Sequence, residues 1–437
     1  MNYFKNVLIL IFVLFTTTVS AQDILTLENA IAAAMEKNFD IRMANNNLMV
    51  AENNKAIQNS GYLPNVTGSA NANYANNNAF VVDQQDQEFS IDGIQTSAYG
   101  ASLGVNYNIY TGGSRKNQFE KLKIAYELSD VQRKFQIDNS LLTVYTTYYA
   151  IAQATAQLSI LEEAFEISKQ RYIRTKYQFD FGQKTNLDVL NAKVDVNNDS
   201  LNLINANVQL DNNKRQLNFL MGATGGLDFE VDETVEVNPL LNYDEIRKNM
   251  ESNNFQTQQI DLNTAMSEYD VKINKAGWLP QVSTNVSYGL NNSQNGPASL
   301  FAIQNVNGLN ASLNLNWNIF DGGTTNVRVQ NAKISLENQA LTKEQIQLNL
   351  YTELANTWAE YTNQLAILNS EKANLSISEQ NFLKTKERYS LGQVTSIDFR
   401  QAQLNLINSK VNITNAEFSA KIAEMQLKKL EGTLVER

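Results

Sequence analysis

The sequence predicts a mainly α-helical fold with a smaller β-sheet part, built by duplication of one large unit. Three observations lead to this prediction: a long internal repeat, segments of two-residue alternation, and helical segments much longer than those of ordinary globular domains. Each repeat contains both strands and long helices. The chain is therefore a duplicated large unit and not a solenoid of short repeats.

The two copies of the repeat are offset by about 210 residues. The offset is slightly larger for the segment that begins at Gly61 in the first copy and Gly277 in the second, which differing loop lengths would explain. The matching segments are ASLGVNYNIYTGG (101–113) with ASLNLNWNIFDGG (311–323), FGQKTNLD (181–188) with LGQVTSID (391–398), and GYLPNV (61–66) with GWLPQV (277–282).

The N-terminus has the pattern of a secretory signal peptide, with Lys5, an apolar stretch over 7–15, and a Val-Ser-Ala ending at Ala21. Cleavage after Ala21 would make Gln22 the first mature residue. The alternative is an N-terminal membrane anchor, although the apolar stretch is short for a bilayer span. The expected domains are a signal peptide (1–21), a first repeat (22–222), an inter-repeat equatorial linker (223–241) and a second repeat (242–437).

The formal net charge is −10, and loss of Lys5 with the signal peptide makes it one unit more negative. This balance argues against nonspecific nucleic-acid binding, which needs a basic face. After the signal, no run of about 18 apolar residues occurs, so no membrane helix is predicted. The mature chain could still enter a membrane as a closed β-barrel, because lipid does not tolerate open strand edges.

Four segments alternate between apolar and polar residues, as β-strands with two different faces do. The opposite positions are rich in Asn, Ser and Thr. The apolar positions are Val66, Gly68, Ala70, Ala72 and Tyr74; Tyr99, Ala101, Leu103, Val105, Tyr107 and Ile109; Val282, Val286, Tyr288 and Leu290; and Leu309, Ala311, Leu313, Leu315, Trp317 and Ile319.

Each segment is about ten residues long, the length that a tilted strand needs to cross a bilayer. The pattern fits an outer-membrane barrel with a wet lumen, or a soluble sheet with one buried face. Closed membrane barrels begin at about eight strands, so strands in the membrane would require several chains to share one barrel. The strands are expected to pair within each repeat through polar loops at 75–96 and 291–308.

A helical period begins after each Gly-Gly pair, which suits a strand-to-helix turn of unusual φ. No proline or glycine occurs from Ser114 to Phe179, which allows a helix of about 100 Å. It carries two adjacent seams and is therefore expected to pack against more than one neighbour. One seam is Leu128, Val131, Phe135, Asp138, Leu142, Tyr145, Tyr149 and Ala152; the other is Ile137, Leu141, Val144, Tyr148 and Ile151.

A return helix follows in each repeat, with apolar residues seven apart and hence a left-handed supercoil. These residues are Leu187, Val194, Leu201 and Val208, and Ile397, Leu404, Val411, Phe418 and Met425. One further helix precedes each strand pair, the first running from near Thr26 towards Ser60. The second starts at Asn242, with Glu245 at capping-box spacing. Segment 223–240 is expected to form a linker with small strands packed outside the helices.

These features together resemble the TolC-like outer-membrane efflux protein family. The resemblance covers the mature chain and rests on the export signal, the duplication, the Gly-[Tyr/Trp]-Leu-Pro motifs, the aromatic-x-Gly-Gly motifs and the paired long helices. It implies a homotrimer in the outer membrane of a Gram-negative bacterium. Three chains would share a twelve-stranded β-barrel, continued by an α-helical coiled-coil barrel through the periplasm. The implied function is a passive exit duct for an efflux pump or type I secretion system, with a periplasmic adaptor and an inner-membrane transporter as partners.

The resemblance also suggests residues at the periplasmic aperture, where each long helix turns into its return helix. The family's aperture aspartates match Asp188 and Asp398, and its tip tyrosine matches Tyr389. The turns that would dock the adaptor are Gly182-Gln183 and Gly392-Gln393. The family's gate arginine falls on Val394 and a second ring aspartate on Gln401 (Asn191 in the first repeat), so the family's salt-bridged lock is not predicted.

Asp188 and Asp398 also have a plainer interpretation. Thr185 and Thr395 precede them by three residues, the spacing of a helix N-cap and its third residue. Capping is the expected principal role of both carboxylates. The two roles are compatible, since a threefold axis would still bring three Asp398 side chains together, and a narrow carboxylate ring favours cations.

No catalytic site, cofactor site or metal site is predicted. The chain has no histidine and no cysteine, and it contains no nucleotide-binding loop motif. The Glu162-Glu163-Glu166 cluster has Lys169 nearby and is expected to be a solvated helix face. The alternative to an exit duct is an exported trimeric coiled-coil structural or adhesive protein without a pore.

Overall fold

The computed structural model describes residues 24–296 and 301–434, and the predicted signal peptide (1–21) lies outside them. The strands are β1 (Ile24–Leu25), β2 (Asn65–Val82), β3 (Glu88–Thr111), β4 (Glu230–Val231), β5 (Gln281–Gln294) and β6 (Ile303–Asn316). The α-helices are α1 (Leu27–Lys37), α2 (Phe39–Asn54), α3 (Ser114–Asp180), α4 (Asn186–Leu220), α5 (Tyr243–Asn253), α6 (Phe255–Lys275), α7 (Thr324–Ser390) and α8 (Ser396–Glu431). Short 3-10 helices at Ile57–Ser60 and Ala276–Trp278 precede β2 and β5.

The described residues form two compact units. The first is largely helical and consists of 24–46, 132–257 and 346–434; the second consists of 47–131 and 258–345 and contains the four long strands. Across the described ranges, none of the helices has the length and apolar content needed to cross a membrane.

The four long strands form one antiparallel sheet in the order β2-β3-β5-β6. Its register aligns the predicted faces: Val66 pairs with Val105, Val105 with Val286, and Val286 with Ala311. The adjacent row is polar throughout and consists of Asn65, Asn106, Asn285 and Ser312. The predicted pairing within each repeat is confirmed, and β3–β5 joins the two repeats.

The prediction of a long loop at 75–96 was wrong. Strand β2 continues to Val82 and β3 starts at Glu88, which leaves a five-residue turn. The Asp83 carboxylate accepts hydrogen bonds from the backbone N–H groups of Gln85 and Gln87 at 2.8 and 2.9 Å, which closes this turn. The loop at 291–308 is also shorter than predicted; its residues 297–300 lie outside the described ranges.

The Gly-Gly turns have the predicted unusual backbone. Gly112, Gly113, Gly322 and Gly323 all have positive φ, between 64° and 88°. At Gly112 a side chain is also excluded by space, because a Cβ atom would lie 2.7 Å from the carbonyl oxygen of Ala276.

The two long helices, α3 and α7, each span 67 residues without a break. In the first unit, the second of the two predicted seams on α3 is buried throughout, at Ile137, Leu141, Val144, Tyr148 and Ile151. These residues belong to hydrophobic clusters that also include Phe418 and Met425 of α8.

The prediction of one continuous helix before each strand pair was wrong. The first helix is interrupted at Asn38, between α1 and α2, and its counterpart is interrupted at Asn254, between α5 and α6. The Asn38 carboxamide accepts from the N–H of Ile41 at 3.2 Å and donates to the carbonyl of Leu220 at 2.8 Å. Asn254 donates to the carbonyl of Leu430 at 3.2 Å. Both asparagines are buried, and each one hydrogen-bonds the interrupted helix to the end of a return helix.

The segment between the repeats packs on the helices of the first unit. Strand β4 pairs in parallel with β1, through Ile24–Glu230 and Leu25–Val231. The hydroxyl of Tyr148 donates to the Leu25 carbonyl at 2.8 Å and accepts from the Asp232 N–H at 3.1 Å.

Candidate functional site

The turn between α3 and α4 and the turn between α7 and α8 have the same backbone geometry. Gly182 and Gly392 adopt φ of 72° and 73°. The N–H of Gln183 donates to the Gln178 carbonyl at 2.7 Å, and that of Gln393 to the Arg388 carbonyl at 2.9 Å. A glycine in this left-handed conformation ends a helix by satisfying its last carbonyls. Both reversals therefore follow from the Gly-Gln pair in the sequence.

The return helices begin with the predicted capping boxes. The Asp188 carboxylate accepts from the backbone N–H and the hydroxyl of Thr185 at 2.9 and 2.7 Å, and Thr185 Oγ1 accepts from the Asp188 N–H at 3.2 Å. Asp398 and Thr395 repeat this arrangement at 3.0, 2.7 and 3.1 Å. The capping interpretation of both carboxylates is confirmed.

Hydrogen bonding keeps both carboxylates charged. The pKa of Asp188 is lowered by the backbone and side-chain hydrogen bonds from Thr185. The pKa of Asp398 is lowered by the side-chain and backbone hydrogen bonds from Thr395. Because a hydrogen bond to the charged form favours it, both groups are anionic at neutral pH. At the start of their helices, Asp398 is exposed and Asp188 is partly buried.

Tyr389 lies at the end of α7 in an aromatic cluster. Its ring stacks on Phe399 with 4.8 Å between ring centroids, and the Arg174 guanidinium lies 5.4 Å from its centroid. Its hydroxyl is buried and has no hydrogen-bond partner among the described residues. Tyr389 therefore makes no hydrogen bond to Asp188, whose carboxylate is occupied by Thr185.

Gln401 is exposed on α8, where its amide donates to Asn405 at 2.9 Å. It shares a cavity of about 270 Å³ with Asp188. Asn191, Asp195, Arg171 and Arg400 also line this cavity. The structure thus brings two of the four predicted aperture residues into one cavity, together with two arginines that the sequence analysis did not select.

Arg400 leads to a buried polar network that sequence analysis missed. Its guanidinium donates to both carboxylate oxygens of Asp199, each at 2.7 Å. Its Nη1 also lies 3.0 Å from the hydroxyl of Ser168, which itself donates to Asp199. Gln403 completes this group by donating to Ser168 Oγ at 3.2 Å and to the Ala164 carbonyl at 2.9 Å.

Arg171 extends the network towards the turn. It forms an ion pair with Asp195, whose other carboxylate oxygen lies 3.7 Å from Arg400 Nε, and it donates to the Ser396 carbonyl at 3.3 Å. We name these residues of α3, α4 and α8 the inter-hairpin clasp; they are Ser168, Arg171, Asp195, Asp199, Arg400 and Gln403. One signal was available in the sequence: Asp195 and Asp199 lie one helical turn apart.

The long helices also leave apolar side chains exposed. The predicted seam of α4 faces outward: Leu187, Val194, Leu201 and Val208 are each more than half exposed. Leu190 and Ile204, which the sequence analysis did not include, are equally exposed on this helix. The side of α4 that is buried contains Ala192, Asp199, Leu210 and Leu217. At the turns, Phe181 is 80% exposed and Leu391 is 65% exposed.

Comparison with known proteins relates this chain to outer-membrane channels. Outer membrane protein TolC of Escherichia coli strain K12 is 23% identical over 361 residues, 79% of this chain and 72% of that protein. A membrane protein structure from Pseudomonas aeruginosa has a TM-score of 0.77 at 15% identity, covering 93% of this chain and 90% of that chain. The Campylobacter jejuni CmeC outer membrane channel has a TM-score of 0.73 at 18% identity, covering 94% and 86%.

These structural likenesses agree with the fold that the sequence predicted. The model of one family, described as outer membrane efflux protein, matches both repeats, at residues 30–223 and 246–433. The chain therefore belongs to the outer membrane efflux protein family.

Proposed function

We propose that the chain is the outer-membrane exit duct of a tripartite efflux pump or type I secretion system. Its family and its channel relatives support an exit channel in the outer membrane of a Gram-negative bacterium, with the helices in the periplasm. They give no support to the alternative, a coiled-coil structural or adhesive protein without a pore. The relatives are channel proteins, and we propose that this chain likewise acts without catalysis.

The observation that carries the proposal is the four-stranded sheet with two free edges. Among the residues that the structure describes, strands β2 and β6 each pair with one neighbour. The register keeps one face apolar and the other polar across all four strands. Four strands are too few to close a membrane barrel. We propose that three copies join β6 of one to β2 of the next and so form a twelve-stranded barrel.

The exposed seam of α4 supports the same assembly from the helical unit. Apolar residues at spacings of three and four along a helix need a facing helix. The α4 residues at these spacings, from Leu187 to Val208, are exposed within one chain. We propose that a neighbouring copy covers them in a homotrimer.

We further propose that the turns meet a periplasmic adaptor, which links the duct to an inner-membrane transporter. Gly182, Gln183, Gly392 and Gln393 shape the two turns, and the side chains of Phe181 and Leu391 extend into solvent beside them. Apolar groups at the far end of two long helices are suited to contact another protein. The energy for export would come from the transporter.

In the trimer, Asp188, Tyr389, Asp398 and Gln401 would surround the periplasmic aperture. The two carboxylates are charged, with Asp398 exposed and Asp188 partly buried, so three copies would give a cation-preferring ring. No group of three or more acidic residues within the described ranges is placed to hold a metal ion. We therefore propose a passive ring that attracts cations and not a metal site.

The experiment that tests the proposed function is membrane fractionation, followed by gel electrophoresis with and without boiling and by conductance measurement in planar bilayers. The proposed function predicts outer-membrane partitioning, a heat-sensitive trimer band and discrete conductance steps. A soluble monomer without conductance would contradict it. A strain that lacks the gene for this protein should also lose export of the substrates of the pump or secretion system.

A further inference from the structure

We propose that the first compact unit carries a binding site for a single-chain fatty acid, in a cavity between α1, α3 and α8. The cavity has a volume of about 390 Å³. Small-molecule sites usually have volumes of about 300–1,000 Å³. All residues that line the cavity belong to this unit. The inference goes beyond the proposed function, because the site would bind its ligand whether or not the protein is a duct.

Part of the lining is apolar. Leu141 of α3, Met425 of α8 and Leu434 line the cavity and are all buried. They belong to one hydrophobic cluster, against which Ile31 of α1 packs. The unbranched thioether side chain of a methionine adapts to ligands of different shape. An acyl chain in contact with these residues would be stabilised by removal of its surface from water.

Two lysines of α8 bring positive charge to the same cavity. Lys421 and Lys428 both line it, and because they lie seven residues apart they share one face of the helix. Both are close to Glu424, whose carboxylate lies 3.1 Å from Lys421 Nζ and 3.5 Å from Lys428 Nζ. Within this group of three, one positive charge is in excess. A ligand with a single negative charge complements it.

Lys428 is the lysine better placed to bind that negative charge. Its side chain is 39% exposed, and its only ion pair is the long one with Glu424. Lys421 is 14% exposed and also donates to the Glu236 carbonyl at 2.8 Å. Glu424 would keep Lys421 and the N–H of Asn238, at 3.1 Å, if Lys428 turned towards a ligand. The exchange therefore leaves no buried charge without a partner.

Tyr149 adds a hydrogen-bond donor to the lining. Burial raises the pKa of Tyr149 to about 12, so its hydroxyl stays protonated at neutral pH. A phenolic hydroxyl can donate to a carboxylate. The lining thus combines an apolar part, an excess positive charge and a donor, which together suit the chain and the carboxylate of a fatty acid.

The cavity is separate from the surfaces through which copies are proposed to join. Its residues lie on α1, α3 and α8 and at 433–434. The proposed trimer uses the α4 seam and the free edges of β2 and β6, so a second copy is not the expected occupant. The volume suits one acyl chain of medium length, whereas a phospholipid has two long chains.

The test uses a decanoate that carries a diazirine on its chain as a photo-crosslinking probe. The full-length protein is purified in amphipol, irradiated with the probe and digested, and mass spectrometry locates the linked residues. Unlabelled decanoate is the competitor, and decyltrimethylammonium, which has the same chain and the opposite charge, is the head-group control. The inference predicts linking to the cavity residues of α3 and α8, competition by decanoate and no competition by the cation.

Lys428→Gln should weaken decanoate binding about tenfold, because it removes a hydrogen bond between two charged groups. Lys429→Gln is the matched control, since Lys429 lies 5.9 Å from the Phe135 ring centroid and is not among the residues that line the cavity. It should bind decanoate as tightly as the unchanged protein. Ile31→Trp should reduce linking by filling the cavity. Circular dichroism checks that each variant keeps its helix content.

Three outcomes would overturn the inference. The first is linking that is spread over the chain and is not reduced by unlabelled decanoate. The second is equal binding by Lys428→Gln and Lys429→Gln. The third is binding that occurs only after residues 435–437 are removed, which would make the chain itself the occupant of the cavity.

Discussion

The guanidinium of Arg400 on α8 binds both carboxylate oxygens of Asp199 on α4 at 2.7 Å, and both side chains are largely buried. A two-point contact of this kind has a fixed orientation. It therefore sets the angle of α8 against the first hairpin, in addition to the hydrophobic packing further along the helices.

Removal of one partner should cost more than removal of both. Arg400→Gln leaves Asp199 charged and buried, and we expect a loss of about 3–5 kcal/mol in the free energy of unfolding. The double variant Arg400→Gln/Asp199→Asn should recover part of this loss, because no buried charge remains. The measurement is chemical denaturation of the purified protein in detergent.

Lys410→Gln is the matched control for this double-variant experiment. Its ion pair with Glu163 is much more exposed, so its loss should cost at most about 1 kcal/mol. A double-variant loss equal to the sum of the losses from Arg400→Gln and Asp199→Asn measured singly would show that Arg400 and Asp199 do not depend on each other.

Cation preference should persist well into the acidic range. The folded pKa values of Asp188 and Asp398 lie below their ordinary value, so these carboxylates keep their charge until the pH falls below the usual aspartate range of about 3.9. Because folding lowers these pKa values, the capping hydrogen bonds contribute their full stabilisation at pH values above the unfolded-state pKa. This stabilisation is lost as the pH falls through the folded-state pKa. The measurement is the reversal potential of trimers in asymmetric KCl between neutral pH and pH of about 3.

The variant Asp398→Asn tests how much the proposed ring of Asp398 carboxylates contributes to the reversal potential. The variant should show a weaker cation preference at neutral pH and a smaller change on acidification. An unchanged reversal potential would remove Asp398 from the aperture and leave capping as its role.

Substitutions at two glycines should distinguish the cost of a strained backbone from the cost of a steric clash. Gly182 and Gly222 both end helices with positive φ, at 72° and 63°. Nothing lies within 4 Å of a Cβ placed at Gly182, whereas one at Gly222 would lie 2.6 Å from the Lys37 carbonyl oxygen. Gly182→Ala should therefore cost only the left-handed backbone penalty of about 1–2 kcal/mol, and Gly222→Ala should cost more.

The check is the unfolding free energy of each variant, with Gly392→Ala as a second unobstructed turn. Equal losses at Gly182 and Gly222 would mean that Lys37 moves aside without cost. A larger loss at Gly182 would contradict the steric argument.

The sequence was most informative where a local pattern determines the structure. Two-residue alternation located all four long strands, because every residue of a ladder faces one side or the other. Thr-x-x-Asp spacing located both return helices, because the cap and its carboxylate are neighbours in the chain. The Gly-Gly turns followed for the same local reason.

Tertiary contacts explain what the sequence analysis missed. The break at Asn38 is stabilised by the Leu220 carbonyl, 182 residues away, and nothing near Asn38 indicates it. The clasp likewise depends on the register of α8 against α3, which no repeat pattern specifies. Among the predicted aperture residues, Tyr389 was selected by its position in the family, yet its hydroxyl finds no partner among the described residues.

The seam of α4 should decide whether single chains assemble. Val194 is more than half exposed within the chain, so Val194→Asp removes little packing inside the chain. In the proposed trimer, the new carboxylate would be buried against a neighbouring helix without a partner, which is strongly unfavourable. We expect loss of the heat-sensitive trimer band, with the helix content by circular dichroism unchanged.

Asn202→Asp is the control, since it adds the same charge at an exposed polar position on the same helix. It should leave the trimer intact, because a solvated carboxylate on a polar position is usually tolerated. If the trimer still forms in Val194→Asp, the α4 seam must be exposed to solvent in the trimer. The association of copies would then depend on other contacts, such as the free edges of β2 and β6.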